Sequence, residues 1–71
     1  MRYAVAKVVN GSFAIDSEHG DNLDGAKMGF WNLCTALTNA SEAVEATVKV
    51  VDDKLDTVEG KVEFISHPAK N

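Results

Sequence analysis

The chain's one cysteine and two histidines, Cys34, His19 and His67, are the side chains whose types best suit nucleophilic chemistry. A thiol beside an imidazole can act as a nucleophile with its base. Cys34, however, lies between Phe30 and Leu37 in a row of apolar residues at helical spacing, and buried cysteines are usually inert packing residues. His67 stands next to a proline near the C-terminus, a poor support for catalysis. The sequence therefore favours a packing role for Cys34 and predicts no catalytic residue.

Polar side chains also gather around the end of the first hairpin and the start of the predicted helix, where carboxylates and a histidine could bind a divalent cation. Their spacing matches no calcium loop, and Asp21 is explained by capping of the helix. The segment 20–25 invites comparison with a phosphate-binding loop, but it lacks the Gly-Lys-Ser signature and its two aspartates would repel phosphate. We therefore expect no metal and no cofactor. The polar group consists of Asp16, Glu18, His19, Asp21 and Asp24.

Length and charge limit the class of protein. The 71 residues allow one domain, which we place at residues 1–66, with residues 67–71 as a frayed tail. The net charge is −4 and the seven basic residues are scattered singly, so we expect neither nucleic acid nor a membrane surface as a partner. A lone cysteine without metal-ligand spacing fits a reducing, cytoplasmic compartment.

The first two strands are predicted as a hairpin, because Asn-Gly at positions 10 and 11 separates two strand-like runs. A two-residue type I′ turn needs positive φ at both positions, which Asn and Gly tolerate. In the register that such a turn sets, Val9 pairs with Ser12 next to the turn, and Ala4 pairs with Ser17 farther along the strands. One face of this hairpin is then almost wholly apolar and is predicted to pack beneath the helix: Ala4, Ala6, Val8, Phe13 and Ile15.

The period then changes to that of a helix, predicted over residues 22–39 with Asp21 as its N-cap. One flank of this helix carries only small residues. This predicts that the helix approaches the sheet closely, and close approach to another helix is the less favoured alternative. The apolar stripe consists of Leu23, Ala26, Phe30, Leu33, Cys34 and Leu37, and the small flank of Gly25, Gly29, Ala36 and Ala40.

A second hairpin is predicted from residues 43–51 and 56–65, which alternate again. Gly60 interrupts the second run and indicates a bulge or a close approach of the helix. A three-residue turn sets Glu45 opposite Lys61, whereas a five-residue turn sets it opposite Glu63; the opposite charges favour the first. The predicted core side consists of Val44, Ala46, Val48, Val50, Val58, Val62 and Phe64.

These elements predict an α+β fold of the order ββαββ, in which one helix packs on one face of a four-stranded, mainly antiparallel sheet. Strand order 2-1-3-4 keeps every neighbouring pair antiparallel, and order 2-1-4-3 is the alternative.

The remaining signals concern the surface. The outer face of the first hairpin is apolar where that of the second is polar, which suggests a covered patch, and an exposed Met beside a Trp is typical of an interface. We therefore expect a small acidic module without catalytic activity that forms a homodimer or docks on a protein partner. The alternative is a small-molecule-binding protein or minor enzyme, with a pocket between helix and sheet near Trp31 and Cys34. The predicted interface consists of Tyr3, Val5, Val9, Ala14, Met28 and Trp31.

Overall fold

The computed structural model describes residues 1–70, which form a four-stranded antiparallel sheet with one helix on one face. The strand order is β2-β1-β3-β4, so the predicted ββαββ fold and the preferred strand order are confirmed. The elements are β1 (Tyr3–Val9), β2 (Ser12–Gly20), α1 (Leu23–Asn39), β3 (Val44–Val51) and β4 (Thr57–His67).

The first turn has the backbone that the Asn-Gly pair predicts, with φ of 50° at Asn10 and 85° at Gly11. The pairing starts at Val9 and Ser12 as expected. It then shifts at a bulge between Val5 and Ala6, so that Ala4 lies opposite Glu18. The predicted partner of Ala4, Ser17, is therefore wrong, because a bulge inserts an extra residue into one strand.

Helix α1 begins at Leu23, one residue later than predicted. The side chain of Asn22 accepts a hydrogen bond of 2.9 Å from the backbone N–H of Gly25, so Asn22 is the N-cap and the assignment of Asp21 is wrong. Asn is as good a cap as Asp, and a bond from Asn22 N to His19 O turns the chain into the helix at this point. The helix ends at Asn39, as predicted.

The helix packs on the opposite face of the first hairpin from the one predicted. Val5 is fully buried beneath Phe30 and the other core residues, whereas Val8 is exposed. The cause is the pairing of β1 with β3, in which Val5 lies opposite Val50 and therefore shares its face. Since β3 is polar on its other side, β3 fixes the face that the helix covers. The residues wrongly predicted beneath the helix are Ala4, Ala6, Val8, Phe13 and Ile15.

The second hairpin closes with the five-residue loop rather than the preferred three-residue turn, since Val51 pairs with Thr57. Asp52 stabilises this loop: its Oδ1 accepts bonds from the backbone N–H groups of Lys54 and Asp56, at 2.9 Å and 3.0 Å. Beyond it the register shifts between Lys49 and Val51, so that Glu45 faces neither predicted partner.

Gly60, with φ of 73°, lies where this register shifts. A positive φ is the conformation that glycine adopts in a bulge, so the predicted bulge is confirmed. Its consequence for the faces of β4 differs from the prediction. Val62 and Phe64 move to the face away from the helix, and Ile65 packs against the core instead.

The chain after β4 folds back to the end of the helix. His67 hydrogen-bonds to Leu37 O at 2.8 Å, and the backbone N–H of Lys70 donates to Ser41 O at 2.7 Å. The ammonium group of Lys70 also donates to Thr38 O. Residues 67–70 thus supply donors to helix-end carbonyls, and Asn71, the last residue of the predicted frayed tail, lies outside the described residues. Within residues 1–70, no helix is both long and apolar enough to cross a membrane.

Candidate functional site: the open face of the sheet

The side of the sheet away from α1, called the open face here, carries large exposed apolar side chains. Phe13 is 69% exposed and Phe64 is 75% exposed, although most residues of this kind lie inside a fold. Monomeric proteins rarely expose a contiguous apolar patch of more than a few hundred Å² without a function for it. The open face consists of Ala4, Ala6, Val8, Phe13, Ile15, Thr47, Lys49, Val51, Val62 and Phe64, with Glu18 and Glu45 toward its ends.

The strand registers arrange these side chains in rows across the sheet. One row places Val8 and Thr47 in the middle, with Phe13 and Phe64 at its ends. The next row runs Ile15, Ala6, Lys49 and Val62. In the first row, two smaller residues lie between two phenylalanines, which leaves a depression on the open face.

A groove of about 220 Å³ occupies this depression. Ala6 and Val8 contribute to its lining from β1, and Phe13 and Ile15 from β2. Leu55, which is 76% exposed at the tip of the β3–β4 loop, lines it from the other side. The residues that line the groove are apolar except for Lys7, Thr47 and Lys49. The groove therefore suits an apolar surface rather than a polar substrate.

Charge on the open face is sparse and of both signs. Lys49 is exposed in the middle of the face, between Ala6 and Val62 on the neighbouring strands. Carboxylates stand toward the two ends, where Glu18 lies opposite Ala4 and Glu45 lies opposite Ser66. Among the described residues the one ion pair joins Lys7 and Asp16 at 3.3 Å, which leaves Lys49 without a carboxylate partner in the described part of the chain.

The structure places the predicted interface residues in different parts of the fold: four on the side of the sheet that faces the helix, and two on the exposed surface of the helix. Val5 is buried, Tyr3 packs against the core, and Val9 and Ala14 are half-buried on the face toward the helix. The proposed patch on the outer face of the first hairpin is therefore misplaced, because that face is the inner one. Met28 and Trp31 are exposed on the helix, at 66% and 49%; whether another molecule contacts them stays a prediction.

An open groove of about 310 Å³ lies between helix and sheet, where the alternative function placed a pocket. Trp31, Cys34 and Thr35 line it from α1, and Glu63 and Ile65 from β4. Burial raises the pKa of the Cys34 thiol, and the negative charge of Glu63 raises it further. A raised pKa lowers the fraction of thiolate, on which nucleophilic reactivity depends. The surroundings of Cys34 therefore favour a packing role for this residue over a catalytic one.

The histidines hydrogen-bond to groups other than the cysteine. His19 Nε2 lies 2.8 Å from Ser17 Oγ in a half-buried position on β2. His67 bonds through one ring nitrogen to Leu37 O and through the other to Pro68 O, both at 2.8 Å. The nucleophile–base pairing considered for Cys34 is thus replaced by structural hydrogen bonds at both histidines.

The acidic residues near the helix start do not converge. In residues 1–70, no group of three or more His, Cys, Asp or Glu side chains is arranged to hold a metal ion. Asp16 pairs with Lys7 instead.

Comparison with known proteins gives no further guide: no family model, no curated protein and no solved structure matches the chain.

The open face itself was missed by sequence reasoning, although two signals for it were present. One was the pair of apolar faces on β1, and the other was Gly60, whose bulge brings Phe64 to the open face.

Proposed function

We propose that this chain is a self-associating module, in which the open face packs against the open face of a second copy. The observation that carries the proposal is the exposure of Phe13, Ile15 and Phe64 on one side of the sheet, opposite the side that the helix covers. Two sheets packed face to face bury such side chains in the manner of a sandwich core. The helix and its core remain intact in this arrangement.

The size of the apolar surface supports a pair of copies. If a phenylalanine side chain offers about 200 Å², Phe13 and Phe64 expose roughly 300 Å² between them. A symmetric pair counts this surface twice, and Val8, Ile15 and Leu55 add to it. The total comes to the order of 1,000 Å², the area at which specific interfaces begin.

Charge also favours an identical partner. The open face carries Lys49 in its middle and Glu18 and Glu45 toward its ends, so it can offer a second copy both an ammonium group and carboxylates. The net charge of −4 on each copy opposes association over longer distances. Added salt screens that repulsion, and we expect association to strengthen from low to moderate ionic strength.

The test is a comparison of sedimentation by the unaltered chain, Ile15→Lys and Asn32→Lys over a range of concentrations. Ile15 lies on the open face, whereas Asn32 is exposed on the helix, so the two variants add the same charge inside and outside the proposed interface. We expect a concentration-dependent dimer for the unaltered chain and for Asn32→Lys, and a folded monomer for Ile15→Lys. Circular dichroism serves as the folding control.

A monomer at every concentration of the unaltered chain, or an effect of Asn32→Lys equal to that of Ile15→Lys, would contradict packing through the open face.

A further inference from the structure

The ring of His67 lies between two backbone carbonyl groups at the end of helix α1. One ring nitrogen, Nε2, lies 2.8 Å from Leu37 O, and the other, Nδ1, lies 2.8 Å from Pro68 O. A carbonyl oxygen can only accept a hydrogen bond, and a neutral imidazole has one N–H to donate. Both bonds can therefore form at the same time only when the ring carries a proton on each nitrogen, as in the imidazolium ion.

We propose that His67 is a pH-sensitive clasp for the C-terminal segment, defined here as residues 68–70. The protonated ring holds this segment against the end of α1, and the neutral ring releases Pro68. Histidine suits this role because its charge ordinarily changes between about pH 5 and 8. The clasp is independent of the proposed self-association, since His67 reaches Leu37 on the side of the sheet that the helix covers.

The end of the helix favours a positive charge at this place. The last carbonyl groups of a helix have no partner within it, and they form the negative end of the helix dipole. The last turn of α1 contains no basic residue. The donors come instead from the chain beyond it: Leu37 O accepts from His67, and Thr38 O accepts from the ammonium group of Lys70. The helix end therefore stabilises the protonated ring in addition to its two hydrogen bonds.

Other charged groups on the surrounding elements do not replace these partners. In the described part of the chain, none of them forms an ion pair with His67. The ammonium group of Lys70 disfavours a second positive charge nearby, but it is already bonded to a carbonyl group of the helix end. The last turn of α1 carries no charged side chain. The charged groups on the other elements are Glu42 in the loop after the helix, Glu45 on β3, Glu63 on β4 and Lys70 in the C-terminal segment.

Loss of the proton breaks one of the two bonds, and burial indicates which one. The contact with Leu37 O is half-buried, whereas the contact with Pro68 O is exposed. An acceptor without a donor costs more when it is buried than when water can replace the donor. We therefore expect the neutral ring to keep its proton on Nε2 and to lose it from Nδ1. This frees Pro68 and weakens the bond from the backbone N–H of Lys70 to Ser41 O.

The test measures release of the C-terminal segment at about pH 5.5 and about pH 8 in the unaltered chain, His67→Gln and His19→Gln. The readout is the NMR chemical shift of the Ala69 methyl group, which does not exchange its protons with solvent. In the unaltered chain and in His19→Gln, we expect the ratio of released to held segment to rise about tenfold with pH, the effect of one charge-assisted hydrogen bond. In His67→Gln the amide cannot change its charge, so this ratio should be the same at both pH values.

His19 provides the matched control, because it is the same side chain on the same sheet with a different partner. Its Nε2 lies 2.8 Å from Ser17 Oγ, and a hydroxyl group can either donate or accept, so this bond survives loss of the proton. The nitrogen chemical shifts of the His67 ring give a second readout. As the ring becomes neutral, the proton should leave Nδ1 and stay on Nε2. Circular dichroism establishes that each variant is folded at both pH values.

The outcomes decide the proposal without reference to the open face. Equal release at both pH values in the unaltered chain, or an unchanged pH response in His67→Gln, would overturn the clasp. A neutral ring that keeps its proton on Nδ1 would also overturn it, because Pro68 would then stay bonded. Self-association keeps its own test, the sedimentation of Ile15→Lys, and either proposal can fail while the other stands.

Discussion

Asn10 and Glu45, which are 35 residues apart in sequence, are joined by two hydrogen bonds. The backbone N–H of Asn10 donates to Glu45 O at 2.8 Å, and the backbone N–H of Glu45 donates to Asn10 Oδ1 at 2.9 Å. The Asn10 side chain also donates from Nδ2 to Ala43 O at 3.2 Å. One turn residue thus fastens the first hairpin to the beginning of β3, in addition to adopting the positive φ that the turn requires.

Substitutions at Asn10 should separate these two roles. Asn10→Gly keeps the backbone conformation and loses the side-chain bonds, so it should cost about 1 kcal/mol of unfolding free energy. Asn10→Ala loses the bonds and also places an alanine at φ of 50°, so it should cost about 1–2 kcal/mol more. Asn10→Asp keeps the acceptor for Glu45 and should be the mildest of the three. Urea denaturation measures each free energy of unfolding. Equal stability of Asn10→Gly and the unaltered chain would show that the side-chain hydrogen bonds of Asn10 contribute nothing to stability.

A second prediction concerns the two faces of β1. Val5 has no exposed surface beneath the helix, whereas Val8 is 38% exposed on the open face. Val5→Ala should therefore cost about 2 kcal/mol of unfolding free energy through lost burial and the cavity left behind. Val8→Ala should cost less than about 1 kcal/mol. Chemical denaturation at a concentration where the chain is monomeric compares them, and equal losses would contradict the assignment of the inner face.

The same two residues show why the sequence predicts the fold but not the site. The Asn-Gly turn, the helical period and the alternation of β3 are local signals, and each identified its element. β1 has two sets of apolar residues, and either set could face the helix. The pairing of β1 with β3 determines which set does. Because β3 follows the helix in the chain, no local sequence pattern around β1 contains this information. Periodicity alone cannot resolve a strand that is apolar on both sides.

The second hairpin forms as predicted, but its loop length and register were wrongly predicted for a related reason. Charge pairing favoured a short turn, but Asp52 closes a five-residue loop through two bonds to backbone N–H groups. Gly60 then shifts the register. The glycine indicated a bulge in advance, yet only the pairing with β3 determines that Phe64 emerges on the open face. The sequence therefore signals that β1 has two apolar faces and that β4 has a bulge, but local patterns do not determine which face these residues share.

A third prediction follows from the Cys34 thiol, whose pKa is raised above its usual value, mainly by burial and further by the negative charge of Glu63. The folded state holds the thiol proton more tightly than the unfolded state does. Its contribution to stability is therefore complete below the unfolded pKa and is lost as pH rises through the folded pKa. Urea denaturation should show a fall in unfolding free energy in this alkaline range that is smaller in Cys34→Ala.

Other groups titrate at alkaline pH in both proteins, so the difference between the two curves is the quantity that isolates Cys34. Glu63→Gln should reduce the same difference by removing the second cause. Parallel curves for the unaltered chain and Cys34→Ala would mean that folding does not disfavour the thiolate.

The last prediction concerns the small flank of the helix. A Cβ added at Gly29 would lie 3.0 Å from His19 Nε2 and 3.5 Å from Ser17 Oγ, so glycine at this position lets the helix approach β2 closely. The hydrogen bond between Ser17 and His19 holds the imidazole there. Alanine in place of glycine inside a helix is favourable by about 1 kcal/mol, but at Gly29 the added methyl group must displace the ring.

We therefore expect Gly29→Ala to yield little or no stabilisation in the unaltered chain, because the displacement of His19 offsets the gain in helix propensity. In the background of His19→Ala the ring is gone, Ser17 Oγ remains at an ordinary contact distance, and the same substitution should stabilise the fold by about 1 kcal/mol. A double-mutant cycle by urea denaturation measures the coupling. Additive effects of the two substitutions would show that the helix approaches β2 closely for a reason other than the space between Gly29 and His19.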